Sequence, residues 1–279
     1  MAAESTHAEI AFIGGGNMAS ALIGGLLKAG QDGAGILVIE PDAAQRQRLV
    51  AQFAVRTQGA ADAGLAGVPL LVWAVKPQSF AQAALARVGH VDEALHLSVM
   101  AGIRCGAIAR ACGADPAQAR IVRSMPNTPA LIGRGIAGLF ATAAVSARDR
   151  ARVEAVLEPT GQTLWLDQEA DLDAVTALSG SGPAYVFYFI EAMVAAAVEM
   201  GLSPEQGRQL ALATFDGATA LAERSDEALA TLRERVTSKG GTTHAALEAM
   251  RASGVAEAIT QAVRAAQRRA AELGDEFGR

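Results

Sequence analysis

Two glycine-bearing stretches of the chain combine residue types and spacing in ways that can hold an anion. In "FIGGGNMASAL", Gly14-x-Gly16-x-x-Ala19 follows a short β-favouring run, Ile10–Ile13. It opens onto Met18, Leu22, Ile23, Leu26 and Leu27 at helical spacing, with a stop at Gly30. That order suits a dinucleotide. Gly14 makes the tight turn, Gly16 lets the backbone approach a pyrophosphate, Ala19 packs helix closely on strand, and the helix start at Asn17 and Met18 offers free N–H groups to phosphate. The second stretch, "VTSKGGTTH" (236–244), interrupts two alanine-rich helical segments with four hydroxyl residues and two adjacent glycines. A helical hairpin needs only one glycine to turn, so hydroxyls and N–H groups are in excess, although Ser, Thr and Gly also serve ordinary surface connections. The order is not that of a Walker phosphate loop. Free N–H groups at the start of "TTHAALEAM", with the hydroxyls of Ser238, Thr242 and Thr243, suit a carboxylate.

The elements that must position these groups follow from pattern. A second strand, "GILVIE", ends in Glu40, about where an acid binds the adenosine ribose of NAD. Asp42 just after it is also placed to cap the next helix. Further strands are expected at "LLVWAV", "ALHLSV" and "RIVRSM", with "GIAGLF" and "TLWLD" completing a doubly wound sheet. Ligands bind such sheets beyond the carboxyl ends of the strands, so Lys76, Gly102 and Asn127 are expected to line one crevice. Taken singly, each is a loop residue: Lys76 exposed, Pro77 starting a helix, Asn127 making an Asx turn.

From about Ala170 only helical patterns remain. We therefore expect an α/β dinucleotide-binding domain over 1–167 and an all-α domain over 168–279. "SGSGPAYVF" puts Pro183 at a helix start, and "LSPEQ" gives Ser203 as cap, Pro204 at the first position and Gln206 at the third. The helix from Ala184 to Met200 is apolar nearly all round, which predicts burial against a second subunit in a homodimer or larger assembly. Glu191 and Glu199 interrupt it as a membrane span.

Composition narrows the classes. The 279 residues are 51% hydrophobic but only 4% aromatic, and the formal charge is −5. Alanine-rich apolar content favours closely packed helices over an aromatic-rich β sandwich. Arg264, Arg268 and Arg269 sit among acidic residues on helical spacing, a solvated face and not a nucleic-acid footprint. The N-terminal residues lack a secretory pattern, so a cytoplasmic protein is expected. Cys105 and Cys112, with His7, His90, His96 and His244, lack ligand spacing, and no metal is expected.

Taken in order, "FIGGGNMASAL", "AVKPQ", "MPNTPA", "LSGSGPAYVF" and "VTSKGGTT" resemble the pyrroline-5-carboxylate reductase family over nearly the whole chain. The resemblance implies an N-terminal dinucleotide domain, a C-terminal helical dimerisation domain, and assembly as dimers or rings of dimers. It implies reduction of L-1-pyrroline-5-carboxylate to L-proline, the last step of proline synthesis, with NADPH or NADH. Residue by residue, it places the pyrophosphate at Gly14, Gly16, Asn17, Met18 and Ala19, and the nicotinamide near Val75, Lys76, Pro77, Ala101 and Gly102. The substrate carboxylate falls to Ser238, Gly241, Thr242 and Thr243, and Thr243 matches the hydrogen-bond partner of the imine nitrogen.

Two departures stand out. Many relatives carry proline where Lys239 stands, and the basic or amide residues that some NADPH users place after the second strand are replaced by Glu40 and Pro41. Arg46 and Arg48 lie one or two turns beyond the helix start and are not expected to reach back, so NADH is expected to serve at least as well as NADPH. Other readings are a reductase of another small imine or keto acid, or a non-catalytic dinucleotide sensor. The first usually positions a lysine on a substrate-domain helix, and here the only lysine after Lys76 is Lys239, in a loop. The second has no need of a hydroxyl-lined loop.

Overall fold

The computed structural model describes residues 8–62, 65–85 and 93–277. His7, His90 and the first residues of the N-terminus lie outside them. Two compact units emerge, Met1–Ser181 with Ala266–Arg279, and Gly182–Ala265.

Among the described residues of the first unit, eight strands form one sheet: β1 (Ile10–Ile13), β2 (Ile36–Ile39), β3 (Arg56–Gln58), β4 (Leu70–Trp73), β5 (Leu95–Ser98), β6 (Ile121–Met125), β7 (Gly135–Ala141) and β8 (Gly161–Trp165). Their order is β3-β2-β1-β4-β5-β6-β7-β8, and every neighbouring pair is parallel except β6 with β7. The antiparallel step departs from a purely parallel sheet. A short 3₁₀ turn, Thr128–Ile132, joins β6 to β7, and so short a connection can return a chain only antiparallel. The edge strand β3 had no pattern to announce it, being three partly buried residues.

Alternation along β1 shows why the sheet is covered on both faces. Ile10 and Phe12 join one apolar core and Ala11 and Ile13 the other, as a two-residue side-chain period requires. The first core takes in Ala19, Leu22, Ile23 and Leu26 of α1 (Asn17–Lys28) and Leu49 of α2 (Ala43–Phe53). The second includes Phe80 at the start of α3 (Phe80–Leu85) and Ala107 to Ala109 of α4 (Cys105–Ala111). Asp42 caps α2 as expected, its side chain accepting the N–H of Ala44.

Beyond α5 (Ala147–Leu157) and β8, the first compact unit runs on to Ser181. Helix α6 (Asp171–Val175) packs on the sheet, where a Cβ on Gly138 would stand 2.8 Å from the Val175 methyls. Pro183 is not at a free helix start. The helical run continues from α6 through a π turn, Thr176–Gly180, into α7 (Gly182–Glu199). Within it Ser181 N–H donates to Thr176 O at 2.8 Å, five residues back. A proline inside a regular helix removes a donor and presses on the carbonyl four residues earlier; a wider turn just before it relieves both.

The second unit contains α7, α8 (Pro204–Glu223), α9 (Leu229–Arg235), α10 (Thr242–Ala252) and the first part of α11 (Val255–Phe277), whose remainder from Ala266 belongs to the first unit. Ser203 and Gln206 form the expected reciprocal cap of α8. Helix α7 packs on α8 where Gly207 meets Ala197 and Val194. Much of its remaining surface is exposed and apolar, including Phe187 at 60% and Tyr188 at 74%. The run Asp171–Glu199 is long and apolar enough, by length and composition alone, to cross a membrane.

Candidate active site

A cleft of about 520 Å³ opens at the carboxyl ends of β1, β2 and β4. Its walls include Gly14, Gly15, Gly16, Glu40, Val75 and Lys76, so five of the residues singled out by sequence share it with Gly15. The geometry suits a dinucleotide. Gly14 has φ +98°, and a Cβ there would stand 2.7 Å from Ala74 O. Nothing lies within 4 Å of the corresponding point on Gly16, so that face of the turn is open to a ligand. Asn17 and Met18 begin α1, whose first turn carries no side-chain cap. Unpaired N–H groups at a helix start are a ready phosphate site. Ala19 is fully buried, as close packing on the strand requires.

Glu40 lies at the tip of β2, and both carboxylate oxygens have backbone partners. Oε2 accepts the N–H of Gly15 and Oε1 that of Asp42, each at 2.9 Å. Arg46 departs from expectation. Its side chain folds back along α2, and Nη1 donates to Glu40 O at 2.7 Å and Pro41 O at 2.8 Å. Helical side chains lean towards the N-terminus, which turns one helical turn of separation into contact. Arg48 does not reach back; Nη1 meets Gln45 Oε1 at 3.4 Å on the helix surface.

The crevice is not shared as expected. Lys76 lines it, but neither Gly102 nor Asn127 does. Asn127 is buried, and its Oδ1 accepts the N–H of Ile136 at 3.0 Å, fastening the start of β7. Pro77 opens a 3₁₀ turn after Lys76. Ala101 and Gly102 form the turn after β5, where Gly102 has φ +75° and a Cβ would stand 3.3 Å from the backbone of Leu273 near the end of α11. The segment following this turn is held by Glu169, whose Oε1 accepts both Arg123 Nη1 at 3.0 Å and Cys105 N–H at 2.7 Å. Burial, reinforced by Glu169, pushes the Cys105 thiol well above its ordinary value. It is therefore a neutral packing group and not a nucleophile. Sequence reasoning missed Gly59, Ala60 and Ala61, which also line the cleft; the small residues after "RTQ" were the available signal.

The second unit holds the hydroxyl loop. Thr237 Oγ1 donates to Arg233 O at 2.6 Å, so one of the four hydroxyls serves the end of α9. Gly241 N–H donates to Ser238 O at 3.0 Å, closing a turn in which Gly240 has φ +73°. A Cβ on Gly241 would stand 2.5 Å from Ser238 Oγ, so a side chain there would have to turn the Ser238 hydroxyl aside. Gly241 caps α10 without a side-chain hydrogen bond. Thr242 and Thr243 therefore start a helix with free N–H groups, Ser238 and Thr242 being exposed and Thr243 partly so.

Comparison with known proteins adds an independent line. Residues 169–273 match the family described as pyrroline-5-carboxylate reductase dimerisation, and residues 9–102 that described as NADP oxidoreductase, coenzyme F420-dependent. The pyrroline-5-carboxylate reductase of Pseudomonas aeruginosa is 42% identical over 271 residues, covering 96% of this chain and 98% of its own. That of Haemophilus influenzae is 40% identical, with 96% and 98% covered. Among solved structures, the Coxiella burnetii enzyme superimposes with a TM-score of 0.85 at 32% identity, covering 95% of this chain and 98% of that one. The Plasmodium falciparum enzyme with NADP bound gives 0.84 at 27% identity, covering 97% and 99%. Identity at this level over nearly the full length leads to one conclusion: the chain belongs to the pyrroline-5-carboxylate reductase family.

Proposed function

We propose that this chain reduces L-1-pyrroline-5-carboxylate to L-proline with NADPH or NADH, as a soluble cytoplasmic enzyme of proline biosynthesis. The observation that carries the reading is the loop before α10, where Gly241, set close to Ser238 Oγ, leaves an uncapped helix start beside Thr242 and Thr243. Donors gathered at one helix end suit a small carboxylate. When bound, the coenzyme supplies a hydride to the imine carbon. The residues of the chain have lighter work: Ser238, Gly241 and Thr242 hold the carboxylate, and Thr243 orients the imine nitrogen through its hydroxyl, positioning being the main requirement for so good a hydride acceptor. The nitrogen takes one proton, and an alcohol is a poor general acid at neutral pH, so Thr243 is an orienting donor and not the proton's ultimate source.

The proposed division of labour assigns residues 1–167 to the coenzyme and 168–279 to substrate and dimerisation, supported by the dimerisation match starting at residue 169. Along α7, Phe187, Tyr188 and Val198 present apolar surface. We assign that face to a second copy and not to lipid, because Glu191 and Glu199 lie on the same helix and the matched family is one of dimerisation. The homodimer, or a ring of such dimers, is the assembly so implied. The deciding experiment is oxidation of NADPH or NADH by purified protein with the cyclic imine, with proline identified as product. Coenzyme binding without turnover would leave a dinucleotide sensor; turnover of open-chain keto acids instead would move the substrate assignment.

A further inference from the structure

The cation folded onto the tip of β2 points to a discriminating residue, an inference that rests on the dinucleotide reading above. We propose that Arg46 binds the phosphate on the ribose 2′-oxygen of NADPH, so that the chain prefers NADPH over NADH although Glu40 ends β2. The guanidinium stands at the tip of that strand, with Nη1 on the carbonyls of Glu40 and Pro41. It also borders the bend after β3: a Cβ on Gly59 would lie 3.3 Å from Nη1, 3.5 Å from Cζ and 3.8 Å from Nη2. Glu40, Pro41 and Gly59 all line the cleft that holds the glycine turn. Arg46 itself lines not this cleft but a separate hollow with Ala43, Gln47 and Thr57; in a fold of this kind the ribose lies at the end of the second strand, where the guanidinium meets the Glu40 carbonyl.

Glu40 does not oppose this as its charge alone suggests. Its two oxygens are turned onto the N–H groups of Gly15 and Asp42, which spreads the charge and aims the carboxylate at the turn. Arg46 keeps Nη2 and Nε without hydrogen bonds among the described residues. A guanidinium with free donors in a fixed fork matches phosphate geometry, which two ribose hydroxyls do not exploit. Nη1 on the carbonyls serves as the anchor that presets the fork.

The test uses fragments that need no catalysis. Binding of adenosine 2′,5′-bisphosphate and of 5′-AMP is measured by calorimetry for the wild type, Arg46→Gln and Arg46→Lys, with NADPH and NADH titrated by nicotinamide fluorescence. The wild type is expected to bind the bisphosphate at least about tenfold more tightly than 5′-AMP, the margin shrinking as salt screens the pair. Arg46→Gln should weaken the bisphosphate about 10- to 100-fold and 5′-AMP less than about threefold, with Arg46→Lys between, as expected for a charge-assisted, bidentate contact. Equal wild-type affinity for the two nucleotides would overturn the proposal even if Arg46→Gln did not fold. So would an unchanged ratio in the folded variant. Absence of binding by either nucleotide to the wild type would overturn the dinucleotide reading itself, and Arg46 with it.

Discussion

Glu40 Oε2 accepts the N–H of Gly15 at 2.9 Å across 25 residues of sequence, tying the tip of β2 to the middle of the glycine turn. The acid expected to read the ribose is thus also a clamp on the pyrophosphate loop. Glu40→Ala should weaken NADH and NADPH together, about tenfold each, because a hydrogen bond to a charged group contributes about 1.5–3 kcal/mol. Fluorescence titration with both coenzymes measures this, and a loss confined to NADH would make the carboxylate a ribose ligand first.

The glycines of the same turn separate fold from function. Gly14→Ala should destabilise the protein by about 1–3 kcal/mol, since φ +98° is strained for alanine and its Cβ would press on Ala74 O. Gly16 has φ −74° and free space around it, so Gly16→Ala should melt like the wild type while losing coenzyme affinity to a methyl group in the pyrophosphate's path. Thermal melts paired with coenzyme titrations decide; lost stability in Gly16→Ala would show a structural role instead.

In the hydroxyl loop, Thr243→Ala is expected to lower turnover about 10- to 1,000-fold, the range for losing one hydrogen bond made in the transition state. Coenzyme dissociation constants should stay as they were, and Thr243→Ser should restore much of the rate. Ordinary steady-state kinetics in the alanine variant would remove Thr243 from the chemistry.

Assembly can be probed without disturbing the subunit's own packing. Val194 is unsuitable, because its backbone lies 3.5 Å from where a Cβ on Gly207 of α8 would stand. Phe187, 60% exposed within the chain, is the better site. Phe187→Asp should weaken self-association by about 2 kcal/mol or more through a charge buried without a partner. Sedimentation velocity reads the shift, and a stable monomer of the unmodified protein would contradict the assigned interface.

Acid should weaken the cap of α5. Burial pushes the Asp149 carboxyl up, but hydrogen bonds from the Ser146 hydroxyl and N–H, with the Arg120 guanidinium, outweigh it and hold the group below its ordinary value. A depressed carboxylate stabilises the fold above its unfolded value, about 3.9, and loses that contribution as pH falls through the folded value. The melting temperature should therefore drop below about pH 4, less steeply in Asp149→Asn. Ser146→Ala should cost about 1 kcal/mol at neutral pH. Parallel melts across pH 2–7 check both, and identical pH profiles for wild type and Asp149→Asn would dismiss the coupling.

Local rules acting within a few residues made much of this protein legible in its sequence. The run from Ile10 through the glycine turn to Leu27, the Asp42 cap and the Ser203–Gln206 cap depend on spacing and turn chemistry alone, and the structure has each of them. What required three dimensions was where side chains end once the chain has closed on itself. Asn127 turned from the crevice to hold Ile136, and Gly102 met the end of α11, because each partner lies on an element that spacing along the chain does not locate. Gly59 to Ala61 joined the cleft only because the short strand β3 pairs beside β2. Arg46 is the plainest case. A helix carries a residue one turn away from the strand tip, yet its long side chain leans back along the same axis, so the charge that meets the coenzyme's ribose is decided by direction in space and not by distance in sequence.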